Sequence, residues 1–236
     1  MFSILSAGIA PALALMSFFY LKDRYSEPLP LIIRTFVLGM LLVFPIMFIQ
    51  YVFQSEELIT NNFLQSFFLV SLLEEFFKWF IFMYAIFHHS EFDAHYDGIV
   101  YAVAISLGFA TLENVLYLFT NGISYAFTRA LFPVSSHALF GVIMGYYFGK
   151  AKLYPLQKPK NLLLAFLFPF LLHGTYNYIL VEVASNWVVL LAPFMIILWI
   201  IGLRRVKLAN EPMNHYLLID TDHKASTVDV QNRKEG

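Results

Sequence analysis

Seven long apolar stretches follow one another along this chain, joined by connections too short to hold a domain of their own. They cover residues 2–21, 31–53, 66–87, 98–119, 131–149, 161–181 and 188–203. A helix that crosses a bilayer needs about 20 mostly apolar residues, and each stretch meets or approaches that length. In hydrocarbon the backbone must satisfy its own hydrogen bonds, which leaves the helix as the natural form for such segments. The expected fold is therefore all-α, a multi-span transmembrane helical bundle with about seven spans. Composition agrees: 59% of the 236 residues are hydrophobic and only 13% are charged, where a soluble domain carries about 25% charged residues. A soluble enzyme, a disordered chain and a coiled coil are excluded on that ground. The formal net charge of -1 gives no sign of a nucleic-acid partner. With no cysteine, disulfides, thiolate metal sites and a Cys nucleophile drop out.

Orientation follows from the basic residues. Thirteen of the 15 Lys and Arg fall on one side if the N-terminus is outside and the C-terminus inside. They lie in the first connection, the fifth connection and the polar tail. Of the remaining two, Lys78 is within a span and Arg129 alone falls outside. The N-terminal apolar run has no preceding Lys or Arg, unlike a cleaved signal peptide, and is expected to be a retained first span. Residues 1–205 form the expected membrane domain, and 206–236 the expected polar cytoplasmic tail, disordered by composition.

Ionisable residues inside spans cost roughly 2.5–3.5 kcal/mol each at mid-helix, so those present call for an explanation, either a structural ion cluster that holds the bundle together or a functional site. The third span holds Glu74, Glu75 and Lys78 in SLLEEFFKWF; the fourth ends with Glu113 and Asn114 in ATLENVLY. The fifth carries His137, and the sixth His173 and Asn177 in LLHGTYNYIL. At about 1.5 Å per residue, Glu74, Glu113, His137 and His173 all fall roughly 9–12 Å below the outer surface. Four helices running in alternating directions thus bring carboxylates, imidazoles and an amide to one level. Glu74 and Lys78 are i,i+4 and are expected to pair, while Glu75 points about 100° away. Glu75 then either holds its proton or reaches across to a histidine. His173 and Asn177 share a helix face, as do Gly141, Gly145 and Gly149 behind His137, a spacing that lets helices approach closely. In the inner connection, Asp93, His95 and Asp97 alternate like metal ligands, but Asp97 is better read as a cap of the fourth helix.

This chemistry suits water activation. One Glu takes a proton from water, which attacks a peptide carbonyl, and His and Asn donors hold the oxyanion. The same side chains could bind Zn²⁺ through two His and a Glu, or carry protons in a transporter.

The stretches LLEEFFKWF, FDAHYDGIVYAVAISLGFATLENVLY, FPVSSHALFGVIMG and LLHGTYNYIL resemble the PrsW family of bacterial intramembrane proteases, and the likeness extends over nearly all of residues 1–205. That family is similar to the Abi and type II CAAX prenyl endopeptidases, which share a di-glutamate motif and later histidines. The resemblance implies a multi-pass protein of the bacterial plasma membrane. It implies an endopeptidase that makes the first, extracytoplasmic cut in a single-span anti-sigma factor of the RsiW type, so that a sigma factor is released under envelope stress. By the same resemblance Glu74 and Glu75 are the water-activating pair, with Glu74 the general base. His137 assists or orients it, and His173 with Asn177 forms the oxyanion element. Lys78, Glu113 and Asn114 are supporting residues, and no cofactor is expected, with Zn²⁺ the minority alternative. Some PrsW-like sequences carry Asp where this chain has Asn177, and Asp could not donate as an amide does. A non-enzymatic stress sensor is the rival outside the enzyme class; oligomeric state is not encoded in these motifs.

Overall fold

Each apolar stretch becomes a helix, because hydrocarbon offers its backbone no other hydrogen-bond partner. The structure, a computed structural model, describes residues 1–183 and 186–211. In chain order the helices are α1 (Phe2–Tyr20), α2 (Leu29–Ser55), α3 (62–85), α4 (His95–Asn121), α5 (Ile123–Leu153), α6 (Pro155–Glu182) and α7 (Trp187–Ala209). No strand occurs among the described residues. All but α3 are long and apolar enough to cross a membrane by composition alone. Helix α3 is the seventh passage, and it carries the charges Glu74, Glu75 and Lys78 within its length. Helix α7 runs through Ala209, past the expected boundary at 205. The tail from residue 212 onward lies outside the described residues.

The bundle is built around α4. In its most apolar window 83% of residues are buried, against 22% in α1 and in α7. Helix α5 packs along α4, α1 and α2 cover other sides of α4, and α6 joins α5 to α3. The reason for the close α4–α5 contact is local. A Cβ on Gly145 would run into the Gly98 carbonyl, and one on Gly98 would run into the Gly145 carbonyl. The two backbones touch there, as the small-residue stripe on α5 leads one to expect. On its opposite flank α4 meets α2 the same way, with Gly39 against the Ile105 carbonyl and Gly108 against the Phe36 carbonyl.

Two helices are not regular. Residues 65–71 of α3 and 130–134 of α5 form wide π-helical turns. Pro133 sits inside the second and, lacking an N–H, cannot complete an α-helical ladder. Both turns end just before a functional candidate: Glu74 and Glu75 follow the first, His137 the second. A π turn inserts extra backbone and re-aims the side chains beyond it, and such turns recur at functional sites.

Candidate active site

Four helices deliver the intramembrane polar residues to one cluster, in the half of the bundle that also holds the chain's N-terminus. Glu74, Glu75 and Lys78 come from the first turns of α3 after its π segment, and Glu113 and Asn114 from α4. Arg129 and His137 come from α5, and His173 from α6. Glu74, Glu75, Lys78, Asn114, Arg129, His137 and His173 are all buried. The Glu113 side chain is one-third exposed, at 33%, and is where the cluster meets the surface.

Lys78 is at the centre. Its Nζ lies 2.8 Å from Glu75 Oε1, 3.1 Å from His137 Nδ1 and 3.6 Å from Glu74 Oε2. The Phe109 ring lies under it at 4.4 Å. An ammonium only donates, so His137 Nδ1 accepts and its Nε2–H is turned to Glu113 Oε2 at 3.2 Å. Glu113 Oε1 in turn accepts from Arg129 at 3.0 Å. Arg129 Nε donates to Asn114 Oδ1 at 2.8 Å, and the Asn114 amide donates to the Gly8 carbonyl of α1 at 3.0 Å. On the other side Glu75 Oε1 accepts from His173 Nδ1 at 2.9 Å. That bond leaves His173 Nε2 with its lone pair, 3.9 Å from Glu74 Oε2. The His173 ring is fixed by stacking on Phe140, with centroids 5.1 Å apart.

Glu74 differs from Glu75 in its company. Glu75 Oε1 is held by both Lys78 and His173, whereas Glu74 receives one long hydrogen bond, 3.4 Å, from Gln50 Nε2 of α2 to its Oε1. Glu74 Oε2 is buried and makes no hydrogen bond, its ion-pair contact with Lys78 being the longer 3.6 Å, and Glu75 Oε2 makes none either. In a low-dielectric interior an unpaired carboxylate oxygen is costly and reactive toward any proton donor that reaches it.

The expectations fare unevenly at the level of contacts. Glu74, Glu75, Lys78, Glu113, His137 and His173 do meet. Lys78 does pair with Glu74 at i,i+4, at 3.6 Å, but it lies closer still to Glu75 at i,i+3, at 2.8 Å, which corrects the expectation that Glu75 points away from it. Glu75 thus has a partner on its own helix, and it reaches the histidine of α6 as well. His137 touches Lys78 and Glu113, not the glutamate pair, so it positions the ammonium. Asn177, one turn beyond His173, donates to Ser71 Oγ at 3.2 Å and makes no contact with either glutamate. Asn114 ties the cluster to α1. Arg129 and Gln50 escaped the sequence reading: a single Arg between spans reads as a loop charge, and a Gln in an apolar span as a packing residue. In the inner connection Asp97 does cap α4, accepting from the Asp93 and Ala94 N–H groups. His95 turns away, its Nε2 on the Tyr146 carbonyl at 2.9 Å.

One donor atom from each of Glu74, Glu75, His137 and His173 lies within 4.8 Å of the others, a donor set of the kind that holds Zn²⁺.

The whole arrangement has relatives. Residues 27–202 match the model of a family described as PrsW family intramembrane metalloprotease. The chain is 65% identical over 211 residues to the protein named Protease PrsW from Oceanobacillus iheyensis, covering 89% of this chain and 98% of that one. It is 54% identical to Protease PrsW from Bacillus subtilis, over 89% of this chain and 96% of the relative. The protein of that name from Clostridioides difficile is 34% identical over 219 residues, covering 88% and 90% of the two chains. No solved structure matches. The chain is a multi-pass membrane protein and belongs to the PrsW family of intramembrane proteases.

Proposed function

We propose that residues 1–205 act as an endopeptidase that makes the first, extracytoplasmic cut in a single-span membrane anti-sigma factor of the RsiW type. In this reading Glu74 is the general base. The observation that carries it is the buried Glu74 Oε2, which makes no hydrogen bond and faces His173 Nε2 across 3.9 Å. That distance is too long for a direct hydrogen bond and is one that a single water bridges. Glu74 takes a proton from that water, the water oxygen bonds to the peptide carbonyl carbon, and the carbonyl oxygen becomes an oxyanion. The proton then passes from Glu74 to the departing amide nitrogen as the C–N bond breaks. Glu75 holds Lys78 and His173 in place. For Asn177 to serve as oxyanion donor, its amide must leave Ser71 when substrate binds.

The family description implies a metal, and the donor types suit one. Lone pairs remain on His173 Nε2, Glu74 Oε2 and Glu75 Oε2, but the other donor atoms are turned to neighbours. Glu75 Oε1 and His137 Nδ1 face the Lys78 ammonium, His137 Nε2 faces Glu113, and His173 Nδ1 faces Glu75. With Lys78 in this position the residues do not fit a metal ion, because a fixed positive charge already stands among the donors. Zinc dependence is the second reading, favoured by the four converging donors, and it requires Lys78 to withdraw.

The test is cleavage of a purified single-span anti-sigma factor by the purified protein in detergent, with and without chelator. Chelator-resistant cleavage that falls at least about 10²-fold in Glu74→Gln is the expected result. Chelator-sensitive cleavage, restored by Zn²⁺, would establish the second reading. Full activity in both Glu74→Gln and Glu75→Gln would sink the glutamate mechanism.

A further inference from the structure

At the end of the bundle opposite the glutamate pair, the turn after α1 and the last turns of α7 enclose an open groove of about 590 Å³. Lys22, Arg24 and Lys207 line it, together with Leu203, Val206 and the carboxylate of Glu211. The two segments are tied across it, the Asn210 amide donating to the Lys22 carbonyl at 3.1 Å. All three cations are exposed, and among the described residues none of them forms an ion pair. Three cations that share a groove with a single carboxylate leave an excess of positive charge that the described protein does not neutralise. Glu27 and Asp97 of the same end are buried and take no part in the lining, and Asp23 lines a neighbouring cavity of about 240 Å³ that Arg24 also faces.

We propose that this groove binds one anionic phospholipid, its phosphodiester among Lys22, Arg24 and Lys207 and its acyl chains along the seam between α1 and α7. Basic pockets between spans at the membrane surface hold anionic headgroups in this way. The apolar half of the fit is independent of the charges. Ile196, Ile200 and Leu203 are exposed and lead toward Lys207 at intervals of three and four residues, so they form one stripe of α7. Beside that stripe Phe18 of α1 meets Trp199 of α7 edge-on, with centroids 6.4 Å apart. The Lys22 ammonium lies over the same Phe18 ring at 4.9 Å, which sets a cation directly above the hydrocarbon-facing surface. A free phosphate would satisfy the cations and leave the stripe unused; a phospholipid uses both. The fold also selects which basic residues take part. Arg205, on the same turns of α7, places its guanidinium over the Tyr146 ring of α5 at 4.7 Å and does not line the groove. A lipid seated here joins α1 to α7, in each of which only 22% of the most apolar window is buried.

The test is native mass spectrometry of the full chain in detergent, titrated with dioleoyl phosphatidylglycerol or, as the neutral control, dioleoyl phosphatidylcholine. The first phosphatidylglycerol adduct is expected at a concentration about tenfold or more below that of phosphatidylcholine, a preference that shrinks as salt is raised. The triple variant Lys22→Gln, Arg24→Gln, Lys207→Gln should abolish the preference. Its three side chains are exposed, so its unfolding midpoint should match wild type. Lys158→Gln with Lys160→Gln removes two cations from another connection at the same end and should keep the preference. Inorganic phosphate in large excess should leave the adduct in place. Equal affinity for the two lipids in wild type would overturn the site, whether the groove binds nothing or is filled by the chain beyond residue 211. A preference that survives in the triple variant, or that falls as far in the Lys158, Lys160 variant, would overturn it too. Displacement by phosphate would replace the lipid with a free anion.

Discussion

Lys78 is the residue on which the candidate site turns. It is the positive charge in contact with both glutamates of α3, and it reaches His137 as well. Removing one partner of a buried ionic cluster leaves the others uncompensated, at a cost of about 3–5 kcal/mol. Lys78→Met is therefore expected to lower the unfolding midpoint in detergent sharply; a midpoint equal to wild type would show that the cluster is not ionic. Arg129 acts further out. Arg129→Met frees Glu113 and Asn114 together, and cleavage should fall with little change in the affinity for substrate, read as kcat against KM. The sequence brought Glu74, Glu113, His137 and His173 to one level because depth depends only on counting residues along each helix. It could not choose between i,i+3 and i,i+4 for Lys78, since both lie on the same side of a helix. Nor could it find Gln50, whose role exists only because α2 packs beside α3.

At the scale of the helix, glycine and the π turn decide the geometry. Gly145→Val would push a branched side chain into the Gly98 carbonyl. Overpacking of this kind costs about 1–3 kcal/mol, so the variant should unfold earlier on heating, whereas Gly145→Ala should be milder. Equal midpoints for wild type and the valine variant would contradict the backbone contact. The stripe Gly141, Gly145, Gly149 was legible because a four-residue interval survives in any helix. The π turns were not: their spans are largely apolar around the helix, with only scattered polar residues such as Gln65, Ser66 and Ser71, so a change in helical pitch leaves no clear mark in the hydrophobic pattern. Pro133 was the one visible trace, and a proline alone does not tell a kink from a widened turn.

For the whole molecule, ionisable groups gather at two levels and answer to pH differently. Burial pushes Glu27 up to about 8 and Asp23 up to about 6. They face Asp97, Tyr101 and one another, with Arg24 on the neighbouring cavity wall. An acid whose folded pKa lies above its unfolded value stabilises the fold while protonated, and that contribution is lost as pH rises through the folded pKa. The unfolding midpoint should thus decline from the ordinary carboxylate range up to about pH 8. A midpoint that rises across this interval would contradict the burial of Glu27. The order of spans and the crowding of basic residues at one end were readable from the chain. This second acidic cluster was not, because Asp23 and Glu27 read as ordinary loop acids until α4 closes over them.

The contrast between backbone and ring contacts has a mechanical consequence. Helix α4 is clasped on two sides by peptide groups in direct touch, which leaves that seam no slack. Helices α3 and α6 meet instead through side chains, the Glu75–His173 and Ser71–Asn177 hydrogen bonds and, nearer the surface, rings, with Phe63 beside Tyr178 at 5.9 Å and Phe67 beside Phe170 at 6.1 Å. Rings can swing aside where carbonyls cannot. An extended peptide seeking Glu74 should therefore enter through the α3–α6 seam. Because the chain has no cysteine of its own, Phe63→Cys and Tyr178→Cys can be joined selectively by a thiol-specific crosslinker whose spacer contains a reducible disulfide and fills the room the two rings vacate. Crosslinking should stop cleavage and reducing the spacer should restore the activity; undiminished cleavage by the crosslinked protein would place the doorway elsewhere.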